Sequence, residues 1–247
     1  MAGIYLHIPF CAQKCAYCDF YSIANQKSKD DFVDALIKEI DLQRYFFGND
    51  RVQTIYFGGG TPSVLSILQL EKIINALDKH YQFEPNIELT LEANPENLNA
   101  DYLLGLKKLG FNRLSVGIQS FSDDDLVLMK RTHQAKTAIQ SVYEAQNQGF
   151  KNISIDLIYG LPNLSMKKWE ENLNMAMDLN IQHISAYHLT IEPKTLFKKW
   201  YDQNKIQLPD DEKSLEQFKL LVEKTCENGF LHYEISNFGK EIGRAHV

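Results

Sequence analysis

Apolar and polar residues alternate with two different periods along the chain, and the two patterns follow one another six times. Short runs with a period of two, such as 87–92 with acidic residues between apolar ones, predict β-strands. Longer runs with apolar residues three and four apart, such as the run after Ser66, predict amphipathic helices. The predicted strands lie at 3–8, 52–57, 87–92, 113–118, 152–159 and 183–189.

Helical patterns fill the intervals between these strands. They begin after Ser28 and after Ser66, cover 103–109 and 166–179, and form a helix or helix pair over 123–148. Alternating strand and helix units predict an α/β fold with a parallel sheet, either doubly wound or a curved, incomplete barrel. Polar residues fall at the carboxyl end of almost every predicted strand, which favours the barrel, because a barrel gathers those ends around one mouth.

The last part of the chain has a different pattern. An acidic run after Pro209 suits the start of a helix that extends to Asn228. We expect Cys226 on this helix to be a small buried residue, and 233–238 to be a short strand at the sheet edge. We therefore predict one domain over 1–240 and a foreign or disordered tail over 241–247, which has no turn signal or periodicity.

Composition limits the classes of function. Apolar residues make up 44% of the 247 residues and the net charge is −6, which argues against broad binding to a phosphate backbone. No apolar run approaches the length of a membrane span, and the first residues lack the pattern of a secretion signal. We expect a cytoplasmic protein without a membrane span and without nucleic acid as a partner.

Three cysteines, Cys11, Cys15 and Cys18, follow the first predicted strand on a loop. Three thiolates at one point form a soft metal site. A structural zinc site usually takes four protein ligands, and the fourth cysteine, Cys226, is far along the chain. An iron–sulfur cubane also takes four ligands, so that a loop with three would leave one iron open. Cluster, zinc and unligated thiols all remain as interpretations, with the cluster favoured.

Two further features lie at predicted strand ends. The run Gly58, Gly59 and Gly60, followed by Thr61, lets the backbone approach a ligand closely. Taken alone, such a run is more often a simple turn. Glu92 ends the third strand, where its carboxylate is able to make charge-assisted hydrogen bonds to a ligand.

These residues resemble a known family. The C-x3-C-x2-C loop, the string from Tyr5 to Phe20 and the G-G-G-T-P string are similar to the radical S-adenosylmethionine (SAM) superfamily. Within it they resemble the branch of oxygen-independent coproporphyrinogen III oxidases and HemW-type heme chaperones. The resemblance implies a partial (β/α)6 barrel with parallel strands, a [4Fe–4S] cluster on the three cysteines, and SAM bound to the open iron and split by one electron.

The resemblance also implies a SAM pocket. Its residues are those that match pocket positions of the family: Tyr5, Tyr17, Gly59, Gly60, Thr61, Glu92, Gln119, Arg131, Asp156, Ala186 and Tyr187. The aromatic residues Phe10, Tyr17 and Phe20 are expected to shield the cluster. His7 and His188 lie near the same mouth, where we expect ordinary packing roles.

This chain differs in two ways from the coproporphyrinogen III oxidases of the branch. The oxidases have a further cysteine where this chain has Phe20, and they have an extension before the first strand. Both features favour a heme chaperone that delivers heme to a respiratory protein, with coproporphyrinogen III oxidation as the alternative and a zinc-stabilised α/β module as a remote one. The resemblance implies heme or porphyrin, a recipient protein and an electron donor such as flavodoxin or ferredoxin as partners. It leaves open whether the chain is an enzyme. The family's heme-binding H-N-x-x-Y string, expected soon after 238, does not occur, so we expect a chain truncated before this string and before the family's C-terminal domain.

Overall fold

Six parallel strands and two short antiparallel ones form one sheet in the computed structural model, which describes residues 2–240. The sheet order is β1-β2-β3-β4-β5-β6-β8-β7. The strands are β1 Ala2–Ile8, β2 Val52–Gly59, β3 Phe83–Ala93, β4 Arg113–Gln119, β5 Asn152–Tyr159, β6 His183–His188, β7 Leu231–His232 and β8 Asn237–Gly239. Within the described residues β1 and β7 stay at the two edges, so the sheet is not closed.

Eight α-helices occur in the described part of the chain. They are α1 Lys29–Leu42, α2 Ile67–His80, α3 Ala100–Lys108, α4 Asp123–Leu128, α5 Ala135–Asn147, α6 Met166–Asp178, α7 Leu196–Asp202 and α8 Asp211–Glu227. Ser66 caps α2 as predicted, because its side chain accepts from the Gln69 amide while the Gln69 side chain accepts from the Ser66 amide. No helix within residues 2–240 combines the length and apolar composition needed to cross a membrane.

The two faces of the sheet differ in polarity, since neighbouring residues of a strand point to opposite faces. On one face, side chains such as Ile55, Leu91, Val116 and Ile155 are fully buried in the core with the apolar sides of the helices. The alternate residues of the same strands, mostly polar, line cavities on the other face. The prediction of an α/β fold with an open, curved parallel sheet is thus confirmed.

Several details differ from the sequence predictions. The predicted strand at 233–238 is wrong: β7 and β8 flank a turn there, and β8 pairs antiparallel with β6. The prediction for Cys226 is also wrong, because that residue is exposed. The buried side of α8 has Gln217, Leu221 and Thr225, and the next residue points away from it. The helix α7 was not predicted, and the tail 241–247 lies outside the described residues.

Candidate functional site

A cavity of about 590 Å³ lies at the carboxyl ends of β1 to β6. Strand register sets its polar side chains on neighbouring strands: Glu92 of β3 pairs with Ser115 of β4, and Asp156 of β5 pairs two residues further along β4, with Gly117. A second polar cavity of about 540 Å³ lies over the same face of the sheet, nearer the amino ends of the strands. Glu92 and Asp156 line both cavities. The inner face of the sheet is therefore a polar, accessible chamber and not a dry core.

The loop with the three cysteines is held by backbone hydrogen bonds at several points. The Cys11 amide donates to the Ile23 carbonyl at 3.1 Å, and the Ala16 amide donates to the Met129 carbonyl at 2.9 Å. The Phe197 amide at the start of α7 donates to the Ala16 carbonyl, also at 2.9 Å. These contacts fix the loop at the mouth of the cavity, although the loop itself is neither strand nor helix.

The glycine run brings the end of β2 against this loop. The Gly60 amide donates to the Ile8 carbonyl at 2.8 Å, and a Cβ at Gly60 would lie 2.8 Å from the Phe10 carbonyl oxygen. Such a contact is too short for any larger residue, so only glycine fits there. Gly59 has a φ of +112°, a conformation that side chains rarely adopt. The run is thus required for the close approach that its sequence suggested.

Two side chains contact the cysteine sulfurs. The Thr61 hydroxyl donates to Cys11 Sγ at 3.4 Å, and Arg131 Nη1 donates to Cys15 Sγ at 3.5 Å. A hydroxyl and a guanidinium stabilise thiolates, so this donor set fits a thiolate-bound iron–sulfur cluster. No group of three or more His, Cys, Asp or Glu side chains among residues 2–240 is arranged around a single ion. Cysteines of a cubane bind different irons, whereas cysteines of a zinc site share one ion.

Arg131 has more partners than the sequence suggested. Its Nη2 donates to Asn94 Oδ1 at 2.8 Å and to the Gly117 carbonyl at 2.6 Å. Its buried Nε has no hydrogen-bond partner among the described residues. The guanidinium therefore connects the cysteine loop with the ends of β3 and β4 through hydrogen bonds. Its Nε is left as a donor that a ligand is able to use.

Glu92 is held by two donors at the cavity wall. The Tyr56 hydroxyl donates to Oε1 at 2.8 Å and the Gly59 amide donates to Oε2 at 2.9 Å. Burial raises the pKa of the Glu92 carboxyl, while these two hydrogen bonds act in the opposite direction. The carboxyl thus has a fixed orientation beside the glycine run.

Asp156 is the more strongly perturbed carboxyl of the cavity. Burial, and next the neighbouring charge of Glu92, raise the pKa of Asp156 to about 7, although Ser185 and Arg113 oppose the shift. The strand register pairs Asp156 with Ser185 of β6. The Asp156 carboxyl therefore takes up a proton at a higher pH than an ordinary aspartate does.

Gln119 ends β4 in a left-handed conformation, with a φ of +72°. The next two residues are held by two hydrogen bonds, which together form a clamp. The Ser120 hydroxyl contacts Asp125 Oδ2 at 2.9 Å, and the Phe121 amide donates to Asn172 Oδ1 of α6. All of these groups are buried. The clamp holds Gln119 in a strained conformation with its side chain on the cavity.

The structure brings most of the predicted site residues to the cavity. Its lining includes Tyr5, Cys11, Cys15, Tyr17, Cys18, Gly59, Gly60, Thr61, Glu92, Gln119, Arg131, Asp156 and Tyr187. Ala186 is an exception, because its side chain is 1% exposed and belongs to the core on the opposite face of the sheet. Of the predicted aromatic shield, Tyr17 and Phe20 both line the cavity, and Phe20 is 73% exposed. Phe10 instead packs edge-on against Phe32 in the core.

Other lining residues were not assigned to the site from the sequence. His7 and His188, expected to have packing roles, both line the cavity, and Glu192 and Asn94 join them. Asn94 follows Glu92 at the strand period of two, so continuing the alternation past the predicted strand would have found it. Glu192 lies beyond β6 in a segment without periodicity, and no sequence signal marks it.

Comparison with known proteins gives a consistent result. Residues 5–176 match the protein family described as the Radical SAM superfamily. A heme chaperone HemW from Synechocystis sp. is 38% identical over 243 residues, covering 96% of this chain and 58% of the relative. The heme chaperone HemW of Bacillus subtilis is 39% identical over 243 residues, covering 97% of this chain and 64% of the relative. The chain thus spans about three fifths of the length of these relatives.

Among solved structures, the coproporphyrinogen III oxidase HemN of Escherichia coli, described as a radical SAM enzyme, superimposes with a TM-score of 0.88. It is 28% identical in sequence, and the match covers 98% of this chain and 56% of that one. Methylornithine synthase superimposes with a TM-score of 0.61 at 12% identity, which shows a shared fold alone.

Proposed function

Because this chain belongs to the radical SAM superfamily, we propose that Cys11, Cys15 and Cys18 hold a [4Fe–4S] cluster and that the cavity beside them binds SAM. The family implies both cofactors. When bound, the reduced cluster supplies the electron that splits a sulfur–carbon bond of SAM. One observation carries the proposal: a single cavity joins the three-cysteine loop to the polar ends of β3, β4 and β5.

The residues of the cavity have separate parts in this proposal. Thr61 and Arg131 stabilise the cysteine sulfurs, and Glu92 and Asp156 accept hydrogen bonds from the polar groups of SAM. The unused Nε of Arg131 and the side chain of Gln119 provide donors for a carboxylate. The rings of Tyr17 and Tyr187, which line the cavity, limit the access of water.

We propose that this site serves heme metabolism, as a heme chaperone that delivers heme to a respiratory protein. Two observations support this choice over coproporphyrinogen III oxidation. The relatives that are 38% and 39% identical are named heme chaperones, and Phe20 occupies the position where the oxidases have a further cysteine. Heme, a recipient protein and an electron donor such as flavodoxin or ferredoxin are the proposed partners. A cytoplasmic location stays a prediction.

Metal and sulfide analysis tests the cluster. After anaerobic reconstitution with iron and sulfide, we expect about four irons and four sulfides per chain. Cys15→Ala should lose most of both, whereas Cys226→Ala, at an exposed cysteine far from the loop, should retain them. One zinc per chain with no bound sulfide would refute the cluster and favour the zinc-stabilised module.

A second assay separates the two heme-related functions. Protein of the full length of the heme-chaperone relatives, which includes the heme-binding string, is reconstituted and titrated anaerobically with hemin, and is incubated separately with coproporphyrinogen III, SAM and a reductant. We expect saturable heme binding and no protoporphyrinogen. Steady formation of protoporphyrinogen would refute the chaperone and support the oxidase.

A further inference from the structure

Two ionisable side chains, Glu96 and His133, form a partly buried pair outside the lining of the cavity. Glu96 lies in the short turn after β3, and His133 lies between α4 and α5. The His133 side chain is fully buried, and its Nδ1 lies 3.4 Å from Glu96 Oε2. Its Nε2 lies 3.2 Å from the Ile118 carbonyl oxygen of β4. The pair is therefore attached to the end of a strand that carries site residues.

The Glu96 carboxylate accepts hydrogen bonds from two further side chains. The Thr132 hydroxyl donates to Oε1, and Asn94 Nδ2 donates to the same oxygen at 3.2 Å. Burial acts to raise the pKa of Glu96, but the contacts with His133 and Thr132 hold the pKa at about 2. At neutral pH the group is therefore an anion, which accepts hydrogen bonds and donates none.

This anion determines which way the side-chain amide of Asn94 faces. An amide has an accepting oxygen and a donating nitrogen, so its Nδ2 must face the carboxylate of Glu96. Oδ1 then faces the opposite side, where it accepts from Arg131 Nη2 at 2.8 Å. A rotated amide would present its nitrogen to a guanidinium, which has no acceptor. Glu96 thus selects the amide orientation that binds Arg131.

The backbone of Asn94 is held separately from its side chain. Its amide donates to Ser63 Oγ at 3.1 Å, and the Ser63 hydroxyl donates to Asn97 Oδ1 at 2.9 Å. The Asn97 amide donates to the Asn94 carbonyl at 3.1 Å, which closes the turn. None of these three hydrogen bonds involves the Glu96 side chain, so its removal should disturb the side chain of Asn94 and leave the end of β3 in place.

We infer that Glu96 is a positioning residue of the SAM site, an inference that rests on the proposed function. It acts through Asn94 on Arg131, whose Nη1 lies 3.5 Å from Cys15 Sγ and whose Nε is left for a ligand. His133 holds the carboxylate from the buried side. This relay, from His133 through Glu96 and Asn94 to Arg131, fixes a planar guanidinium that serves a cysteine sulfur and a ligand carboxylate together.

Substitutions of Glu96 separate its position from its charge. Glu96→Gln removes the charge but keeps an oxygen that accepts from Asn94, whereas Glu96→Ala removes both. Glu96→Asp keeps the charge on a side chain too short to reach Asn94, and it replaces Glu96→Ala in every measurement if that variant does not fold. Glu71→Ala is the control, because Glu71 is exposed on α2. The probe is SAM, whose equilibrium binding to the reconstituted chain is measured together with the iron content.

We expect Glu96→Ala and Glu96→Asp to bind SAM about tenfold more weakly, and Glu96→Gln and the control to stay within about twofold of the unmodified chain. Because Glu96 acts through Arg131, Glu96→Ala combined with Arg131→Lys should bind SAM no more weakly than Arg131→Lys alone. Equal losses for the Ala and Gln variants would show that the charge alone matters. Additive losses in the double variant would show that Glu96 acts independently of Arg131. Either result overturns the inference.

A spectroscopic measurement on the cluster-free chain decides the inference even if no cluster forms. The Nε–H resonance of Arg131, identified by its loss in Arg131→Lys, is followed by nuclear magnetic resonance. We expect Glu96→Ala to shift this resonance and to speed its exchange with water, and Glu96→Gln to leave it in place. An unmoved resonance in Glu96→Ala overturns the inference. An unmodified chain that takes up no iron and sulfide and binds no SAM refutes the proposed function instead.

Discussion

Arg131 is the residue on which the cysteine loop and the strand ends depend together. Its guanidinium donates to Cys15 Sγ, Asn94 Oδ1 and the Gly117 carbonyl at the same time. A lysine keeps the charge but has neither the planar fork nor enough reach for all three acceptors. The resemblance implied a place for Arg131 in the SAM pocket, and the structure adds a role in holding the loop.

We expect Arg131→Lys to weaken SAM binding to the reconstituted chain by roughly tenfold, because a hydrogen bond to a charged group is lost. The measurement is equilibrium binding of SAM, with the iron content determined in the same samples. Arg44→Lys is the control, since Arg44 is on the surface after α1, where it contacts Asp41 and Tyr45. Unchanged SAM affinity at full iron content would contradict this role of Arg131.

Asp156 makes stability depend on pH. Its pKa is about 7 in the folded chain, raised by burial and by Glu92, and near 3.8 in an unfolded chain. The folded state therefore binds more protons between these values, and the free energy of unfolding falls as pH rises from about 4 to above 7. Below pH 4 the group is protonated in both states and contributes no difference.

Asp156→Asn should remove this pH dependence. We expect the variant to exceed the unmodified chain by roughly 2–4 kcal/mol in the free energy of unfolding at pH 8, and to match it near pH 4. Urea denaturation of the cluster-free chain at both pH values checks this. A difference that is constant with pH would show that Asp156 does not bind the extra proton.

At the scale of single elements, the clamp behind β4 illustrates how a helix positions a site residue. Asn172 of α6 is 4% exposed, accepts from the Phe121 amide and the Ser120 hydroxyl, and donates to the Lys168 carbonyl. These bonds hold the turn that keeps Gln119 at positive φ. Without Asn172 the Phe121 amide would be a buried donor without a partner.

We expect Asn172→Ala to lower the free energy of unfolding by about 1–3 kcal/mol and also to weaken SAM binding, since Gln119 would lose its support. Denaturation and SAM binding are both measured. Asn147→Ala, on the exposed end of α5, is the control and should change neither. A loss of stability with normal SAM affinity would show that the clamp is structural only.

The elements were predictable to different degrees from the sequence. The six parallel strands alternate clearly, because their two faces differ so strongly in polarity, and each was predicted within a few residues. The short pieces β7 and β8 and the helix α7 have too few residues for a periodicity, and their pairing depends on β6 and the cysteine loop. Tertiary contacts decide such segments, so pattern alone misses them.

At the scale of the whole molecule, the same alternation determines where the chamber lies. Polar residues on alternate positions of β2 to β6 leave the inner face of the sheet without a dry core, and the sheet stays open between β1 and β7 in the described part of the chain. The sequence therefore predicted the fold and most of the cavity lining. It did not anticipate that His7 and His188 line the cavity, or that the Ala186 side chain lies in the core, because these placements depend on how the strand ends and loops pack.

The central claim is that three cysteines hold a cluster with one iron left for SAM. The most direct test is the electron paramagnetic resonance spectrum of the reduced, anaerobically reconstituted chain, recorded with and without SAM. We expect a [4Fe–4S] signal that changes when SAM is added, because SAM binds the open iron. A cluster signal that stays the same at saturating SAM would contradict the claim.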